Sequence, residues 1–110
     1  AILANLCNLP IASDISRVKV AYTGGSPLPT ELAQRFESAT GIPVRNILGM
    51  TECAGLVSIE PFHAPRVPGS AGLRMPYSEV RLSAAGVLEL RGPHVSPGYT
   101  DAARNAGMFE

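Results

Sequence analysis

Within Asn46-Ile47-Leu48-Gly49-Met50-Thr51-Glu52 a hydroxyl and a carboxylate stand side by side, behind a short apolar run and a glycine. A hydroxyl donates to a phosphate oxygen, and a carboxylate is a hard oxygen ligand for a divalent cation. The pair therefore suits a phosphate and its metal ion. Upstream lies Thr23-Gly24-Gly25-Ser26-Pro27-Leu28-Pro29, where missing side chains would let a flat ligand approach the backbone. Each stretch has a plain alternative. Gly-Gly-Ser-Pro also serves as a strand-to-helix turn, and Thr-Glu as a helix start or polar turn. His63 and His94 stand alone in proline-rich loops, without a second ligand at metal spacing, and read as surface residues. Cys53 has no neighbouring His or Lys to lower its pKa, so it reads as a small pocket-lining residue rather than a nucleophile. Met50 and Leu56 read as apolar wall, of core or of ligand tunnel alike.

The elements that must position these groups follow from periodicity and punctuation. Residues 1–8 read as the last turns of a helix closed by Pro10. Residues 17–22 alternate, with Val18, Val20 and Tyr22 on one face, and run into the paired glycines as a strand. Pro29, Glu31, the spacing of Leu32, Phe36 and Ala39, and Gly41 as a stop predict a helix over 29–40. Residues 43–47 form a second strand, and strand, helix, strand implies a right-handed parallel crossover. Ligands sit at the carboxyl ends of such strands, where the Gly24-Gly25 turn and a turn from Gly49 to Glu52 both fall. Beyond Pro61 repeated prolines and glycines change the texture. Residues 77–82 and 87–91 read as two strands joined through Ser83-Ala84-Ala85-Gly86, and Asp101 as the cap of a helix over 102–106. The expected fold class is α/β: a parallel strand-helix-strand unit, then an antiparallel β hairpin from a small sheet or barrel, as a fragment of a larger fold. The change at Pro61 assigns residues 1–60 to an α/β subdomain and 61–110 to a β-rich one.

Composition narrows the classes. The 110 residues are 45% apolar and 16% charged, enough for a buried core. Nine basic residues cancel nine acidic ones, so no basic field points to nucleic acid. Lys19 is the single lysine, within a strand-like run, and no Walker-type lysine is present. Two distant cysteines argue against a disulfide framework or zinc site and favour a cytoplasmic setting. The apolar stretch over 1–9 is too short to span a bilayer. The start without Met and the abrupt Met108-Phe109-Glu110 finish read as cuts from something longer.

The ordered set T-G-G-S-P-L-P, G-M-T-E, G-S-A-G-L and G-V-L-E-L-R-G-P-H-V-S-P-G-Y resembles the central part of AMP-forming acyl-CoA synthetases, in the adenylate-forming superfamily. The resemblance covers residues 17–110 and implies that residues 1–60 are part of a nucleotide- and acyl-binding subdomain. It implies activation of a carboxylic acid, fatty or aryl, with ATP to acyl-AMP, then transfer to coenzyme A, with Mg2+ as cofactor. It further implies that Gly24, Gly25 and Ser26 border the adenine and the acyl channel and that Asn46 sits at the adenine edge. Gly49 and Met50 would line the junction of nucleotide and acyl group, with Cys53 and Leu56 beside the acyl chain. Thr51 would hydrogen-bond the phosphates and Glu52 would bind Mg2+, these two forming the catalytic pair. Leu48 stands where the family usually carries an aromatic ring over adenine. The family's Ser/Thr/Gly-rich phosphate loop, its ribose-binding Thr-Gly-Asp segment and its C-terminal domain with a catalytic Lys are not in this sequence. The remainder of a parent chain is thus an expected partner. Two other readings compete: an adenylation domain that loads a carrier protein, and a nucleotide-binding module without catalysis.

Overall fold

The computed structural model describes residues 2–10 and 13–109. Helix α1 spans Ile2–Leu6; Ala1, where the expected helix would begin, lies outside the described residues. Strand β1 is Ala21–Thr23, helix α2 Thr30–Thr40 and strand β2 Val44–Met50. Strand β3 is Gly55–Ile59 and β4 Leu73–Arg74, followed by β5 at Glu79–Leu82 and β6 at Leu88–Arg91. Two 3-10 turns, Thr51–Cys53 and Ala102–Arg104, complete the order.

The expected strand-helix-strand unit is present, with β1 and β2 parallel. Only residues 21–23 of the first strand are paired, because β2 begins at Val44, opposite Ala21. The expected shared face is not buried as one: Val18 and Tyr22 are exposed and Val20 is half-buried, while Ala21 packs on the core.

Helix α2 ends where Gly41 takes φ +70, its N–H closing onto Glu37 O at 2.8 Å, a left-handed cap that glycine adopts without a Cβ penalty. Glu37 then reaches forward, its carboxylate accepting from Val44 N at 2.9 Å and so fixing the start of β2. Ala33 and Phe36 bury the inner face of α2 against Ile42 and Val44, with Leu3 of α1 and Leu28 packed around them. Ala39, assigned to that stripe by spacing, is exposed.

Strand β2 runs three residues past its expected end. Its second half pairs with β3, which periodicity did not reveal, and a register shift falls between Leu48 and Gly49. Strand β4 adds antiparallel to β3, so one four-stranded sheet runs β1-β2-β3-β4. Gly49 is thus inside a strand rather than in a turn. A Cβ there would stand 1.8 Å from Gly55 O, so the close approach of β3 requires glycine.

Strands β5 and β6 form the expected antiparallel hairpin as a separate two-stranded sheet. Its loop closes through Gly86, at φ +77, and through Ser83 Oγ, which accepts from Val87 N at 3.1 Å. An ion pair of Arg81 with Glu89 crosses the strands at directly opposed positions. The expected final helix is a single 3-10 turn, capped by Asp101 Oδ1, which accepts from Ala103 N at 3.1 Å.

Candidate functional site

Both candidate turns leave the carboxyl ends of parallel strands, but they are staggered. Thr23 stands opposite Asn46, and β2 continues four residues further to Met50. At a strand rise of roughly 3.3 Å per residue the second turn lies about 13 Å beyond the first. Gly24 packs against β2 itself, since a Cβ there would be 2.7 Å from Ile47 Cγ1. Gly25 takes φ +83, and Ser26 is exposed. The glycine pair thus lets the turn fold down beside Ile47, adjacent to Asn46 and Leu48.

Asn46 is held on three sides. Its N–H donates to Glu60 Oε2 at 2.7 Å, its carbonyl accepts from Glu60 N at 3.0 Å, and its Nδ2 donates to Ser70 O at 3.3 Å. Its Oδ1 is buried without a partner. Leu48 is half-buried and Met50 is 40% exposed.

At the end of β2, Thr51 opens the 3-10 turn with its side chain exposed, and Glu52 follows. Two contacts tie Glu52 to the far end of the chain: its carbonyl accepts from Ser96 N at 2.7 Å, and its Oε1 accepts from the Tyr99 hydroxyl. The Tyr99 hydroxyl holds the Glu52 carboxyl below its ordinary range, and the same contact pushes the phenol up. Asn105 pins that tyrosine by accepting from Tyr99 N at 2.7 Å and donating to Tyr99 O at 3.3 Å. The Arg104 guanidinium lies 5.2 Å from the ring centre. Tyr99 was visible in the sequence only as the last letter of a motif; nothing local linked it or Asn105 to Glu52.

Cys53 is 3% exposed in the turn, and burial, followed by the Glu52 charge, raises its thiol pKa. A raised pKa leaves it a poor nucleophile. Leu56, half-buried on β3, offers its carbonyl to the Tyr77 hydroxyl at 3.3 Å. His63 is exposed, as expected, but His94 is not a free surface residue. Its Nε2 meets Ser78 Oγ at 3.1 Å and its ring packs edge-on to Tyr77. Ser78 is fully buried, so this Ser–His pair presents no hydroxyl to a substrate.

Among the described residues no group of three metal-binding side chains converges. A single carboxylate nonetheless fits Mg2+, which commonly takes one or two carboxylates and completes its shell with water and substrate phosphates. Oxygen Oε1 of Glu52 is engaged by Tyr99, which leaves Oε2 as the available donor. The large open cleft of about 520 Å3 lies elsewhere, along the outer face of α2 between Cys7, Glu31 and Arg35, and none of the candidate residues borders it.

A family model described as AMP-binding enzyme matches residues 1–100. The chain belongs to the AMP-binding enzyme family. A long-chain-fatty-acid–CoA ligase of Yersinia pestis is 33% identical over 96 residues, covering 78% of this chain and 17% of the relative. This AMP-binding chain therefore spans about a sixth of that relative's length. The fold is shared with a long-chain-fatty-acid-CoA ligase from Archaeoglobus fulgidus, at TM-score 0.77, 21% identity, 94% of this chain and 25% of that one. It is also shared with an O-succinylbenzoate coenzyme A synthetase from Bacillus subtilis in complex with ATP and magnesium ion. That match has TM-score 0.75 and 24% identity, over 99% of this chain and 25% of that one. No helix among the described residues is long and apolar enough to cross a membrane.

Proposed function

We propose that this segment forms one wall of the nucleotide and acyl site of an acid–thiol ligase, working within a longer polypeptide. That enzyme activates a fatty or aryl carboxylic acid with ATP and passes the acyl group to coenzyme A. The observation that carries the reading is the convergence at Glu52 of the Gly-Met-Thr-Glu segment and the Ser-Pro-Gly-Tyr segment, 47 residues apart, through Tyr99.

In the first half-reaction the substrate carboxylate attacks the α-phosphorus and pyrophosphate leaves; in the second the coenzyme A thiol attacks the acyl carbonyl and AMP leaves. Thr51, exposed at the end of β2, donates its hydroxyl to a phosphate oxygen. Glu52 presents its remaining carboxylate oxygen to Mg2+, which when bound neutralises phosphate charge. The backbone of Gly24, Gly25 and Ser26 and the Asn46 carboxamide border adenine, with Leu48 covering the ring by apolar contact. Gly49 and Met50 mark the junction with the acyl group, and Cys53 and Leu56 back the acyl channel. The contribution is positional and electrostatic, with no covalent enzyme intermediate. Residues 1–60 belong to the α/β nucleotide- and acyl-binding subdomain and 61–110 to a β-rich one, a division supported by the separate β5–β6 sheet and bridged by β4. The two free thiols suit a reducing, cytoplasmic setting.

ATP–pyrophosphate exchange by the full polypeptide, assayed across fatty and aryl acids, tests this. Mg2+-dependent exchange is expected, falling about a hundredfold in Glu52→Gln with the melting temperature within a few degrees of wild type. Equal rates for both forms would reduce Glu52 to a structural residue. The 110-residue chain alone should give no exchange, because it holds one phosphate-facing hydroxyl and one metal carboxylate, and neither borders the open cleft along α2 or the small cavity beside Asn46.

A further inference from the structure

Glu60, 4% exposed, is the one carboxylate among the described buried residues, and no cation pairs with it there. A buried charge is tolerated only when its oxygens are hydrogen-bonded, and here backbone N–H groups do that. Oxygen Oε2 accepts from Asn46 N at 2.7 Å on β2, and Oε1 accepts from Val67 N at 3.1 Å in the loop between β3 and β4. One side chain thus clamps that loop to the strand carrying the candidate site.

The clamp has a consequence three residues further along the loop. Ser70 O accepts from Asn46 Nδ2 at 3.3 Å. A carbonyl can only accept, so the Asn46 carboxamide must turn its NH2 toward Ser70 and its oxygen away. That oxygen is buried and unpartnered, and Asn46 borders a cavity of about 40 Å3 with Leu28, Arg66 and Ser70. The space is too small for a purine ring but admits one amine-sized group. An acceptor held in this way favours the six-position amine of adenine, whereas the carbonyl of guanine at that position would set acceptor against acceptor.

We infer that Glu60 is a positioning residue for base selection: by anchoring both Asn46 and the Ser70 loop, it fixes the Asn46 carboxamide with its nitrogen on Ser70 and its oxygen unpartnered, and so selects a purine amine over a carbonyl. The inference rests on the nucleotide reading above.

Calorimetric binding of ATP and GTP to the full polypeptide, with steady-state kinetics, tests it. Glu60→Gln keeps the shape but offers one acceptor oxygen, so its NH2 must face the N–H of Asn46 or of Val67. The preference for ATP over GTP should fall about tenfold, the KM for ATP should rise, and kcat at saturating ATP should stay within about twofold. Glu60→Asp retains both acceptors at shorter reach and should fall between. Because Glu60 acts through Asn46, adding Glu60→Gln to Asn46→Ala should not change the preference further. Loss of folded protein would lower ATP and GTP binding alike, without altering their ratio. An unchanged ratio in Glu60→Gln, or in Glu60→Asp should the Gln variant not fold, overturns the inference while the nucleotide reading stands. Independent losses in the double variant overturn it too. A wild-type polypeptide that binds neither nucleotide overturns both.

Discussion

Val44 in β2 is fully buried, whereas Val80, Leu82 and Leu88 of the hairpin each expose more than a third of their surface. The difference lies in what covers each sheet. Strand β2 has β1 and β3 as neighbours and the Ala33–Phe36 face of α2 across it. The hairpin has two strands and, among the described residues, no helix packed on either face, and a two-stranded sheet is marginal in water without such cover. The radius of gyration, 16.8 Å, reflects this; a compact chain of this length would be near 13 Å. Glu52 stands at the seam between the well-packed part and the strap that follows the hairpin, held there by Ser96 N and the Tyr99 hydroxyl. The candidate site is therefore as ordered as the contacts crossing that seam.

The sharpest way to break the contrast is at Gly49. A Cβ on it would meet backbone atoms of Gly55, 1.8 Å from the carbonyl oxygen, and backbone cannot swing aside as a long side chain can. Gly49→Ala should cost at least about 4 kcal/mol and separate β3 from β2, read as loss of hydrogen-exchange protection from 44 to 59 with the hairpin amides unchanged. Next comes a matched pair of truncations. Phe36→Ala should lower stability by about 3 kcal/mol or more, while Leu82→Ala, 69% exposed, should stay within about 0.5 kcal/mol in denaturant titration of this chain. A comparable cost at both positions would show that the hairpin is covered in solution.

These contrasts follow how legible each part was. Helix α2 carries its own punctuation, Pro29 before it and Gly41 after it, and both act locally, so its bounds could be read. Strand β1 was overread, because the alternation of Val18, Val20 and Tyr22 cannot report that no partner strand extends opposite residues 17–20. Strand β3 was missed because its partner, the Gly49–Met50 end of β2, was read as part of a turn; Ala54 and Gly55, both at positive φ, redirect the chain into β3. In the site, Thr51 and Glu52 were visible as adjacent chemistry. Glu60 was not: a carboxylate binding backbone N–H groups 14 residues back and 7 ahead leaves no periodic trace. Tyr99 and Asn105 were hidden for the same reason.

A smaller effect sharpens the nucleotide side of the comparison. Leu48 is half-buried on the ordered sheet, and aromatic stacking is worth on the order of 1 kcal/mol. Leu48→Tyr in the full polypeptide should tighten ATP binding by about that amount, measured by calorimetry. Unchanged or weaker affinity would place the Leu48 side chain in the sheet's packing rather than against a base.

The smallest expected change is the most local to the seam. The Tyr99 hydroxyl donates to the Glu52 carboxylate and holds its pKa below the ordinary range. A carboxyl whose folded pKa is depressed contributes stability that is present above its unfolded pKa and lost as pH falls through the folded one. Tyr99→Phe keeps the ring, its edge contact with Phe109 and its place beneath Arg104, but removes the donor. The Glu52 pKa should rise toward its ordinary value, so the variant should lose part of the wild-type stability above the carboxylate range and none of it at more acid pH, where both forms are protonated. Carboxyl carbon shifts followed by NMR give the Glu52 titration directly, and melting temperatures across the same pH series give its linkage to folding. An unmoved Glu52 titration in Tyr99→Phe would mean that the hydroxyl does not reach the carboxylate in solution, leaving Ser96 N as the described hydrogen bond from this strap to Glu52.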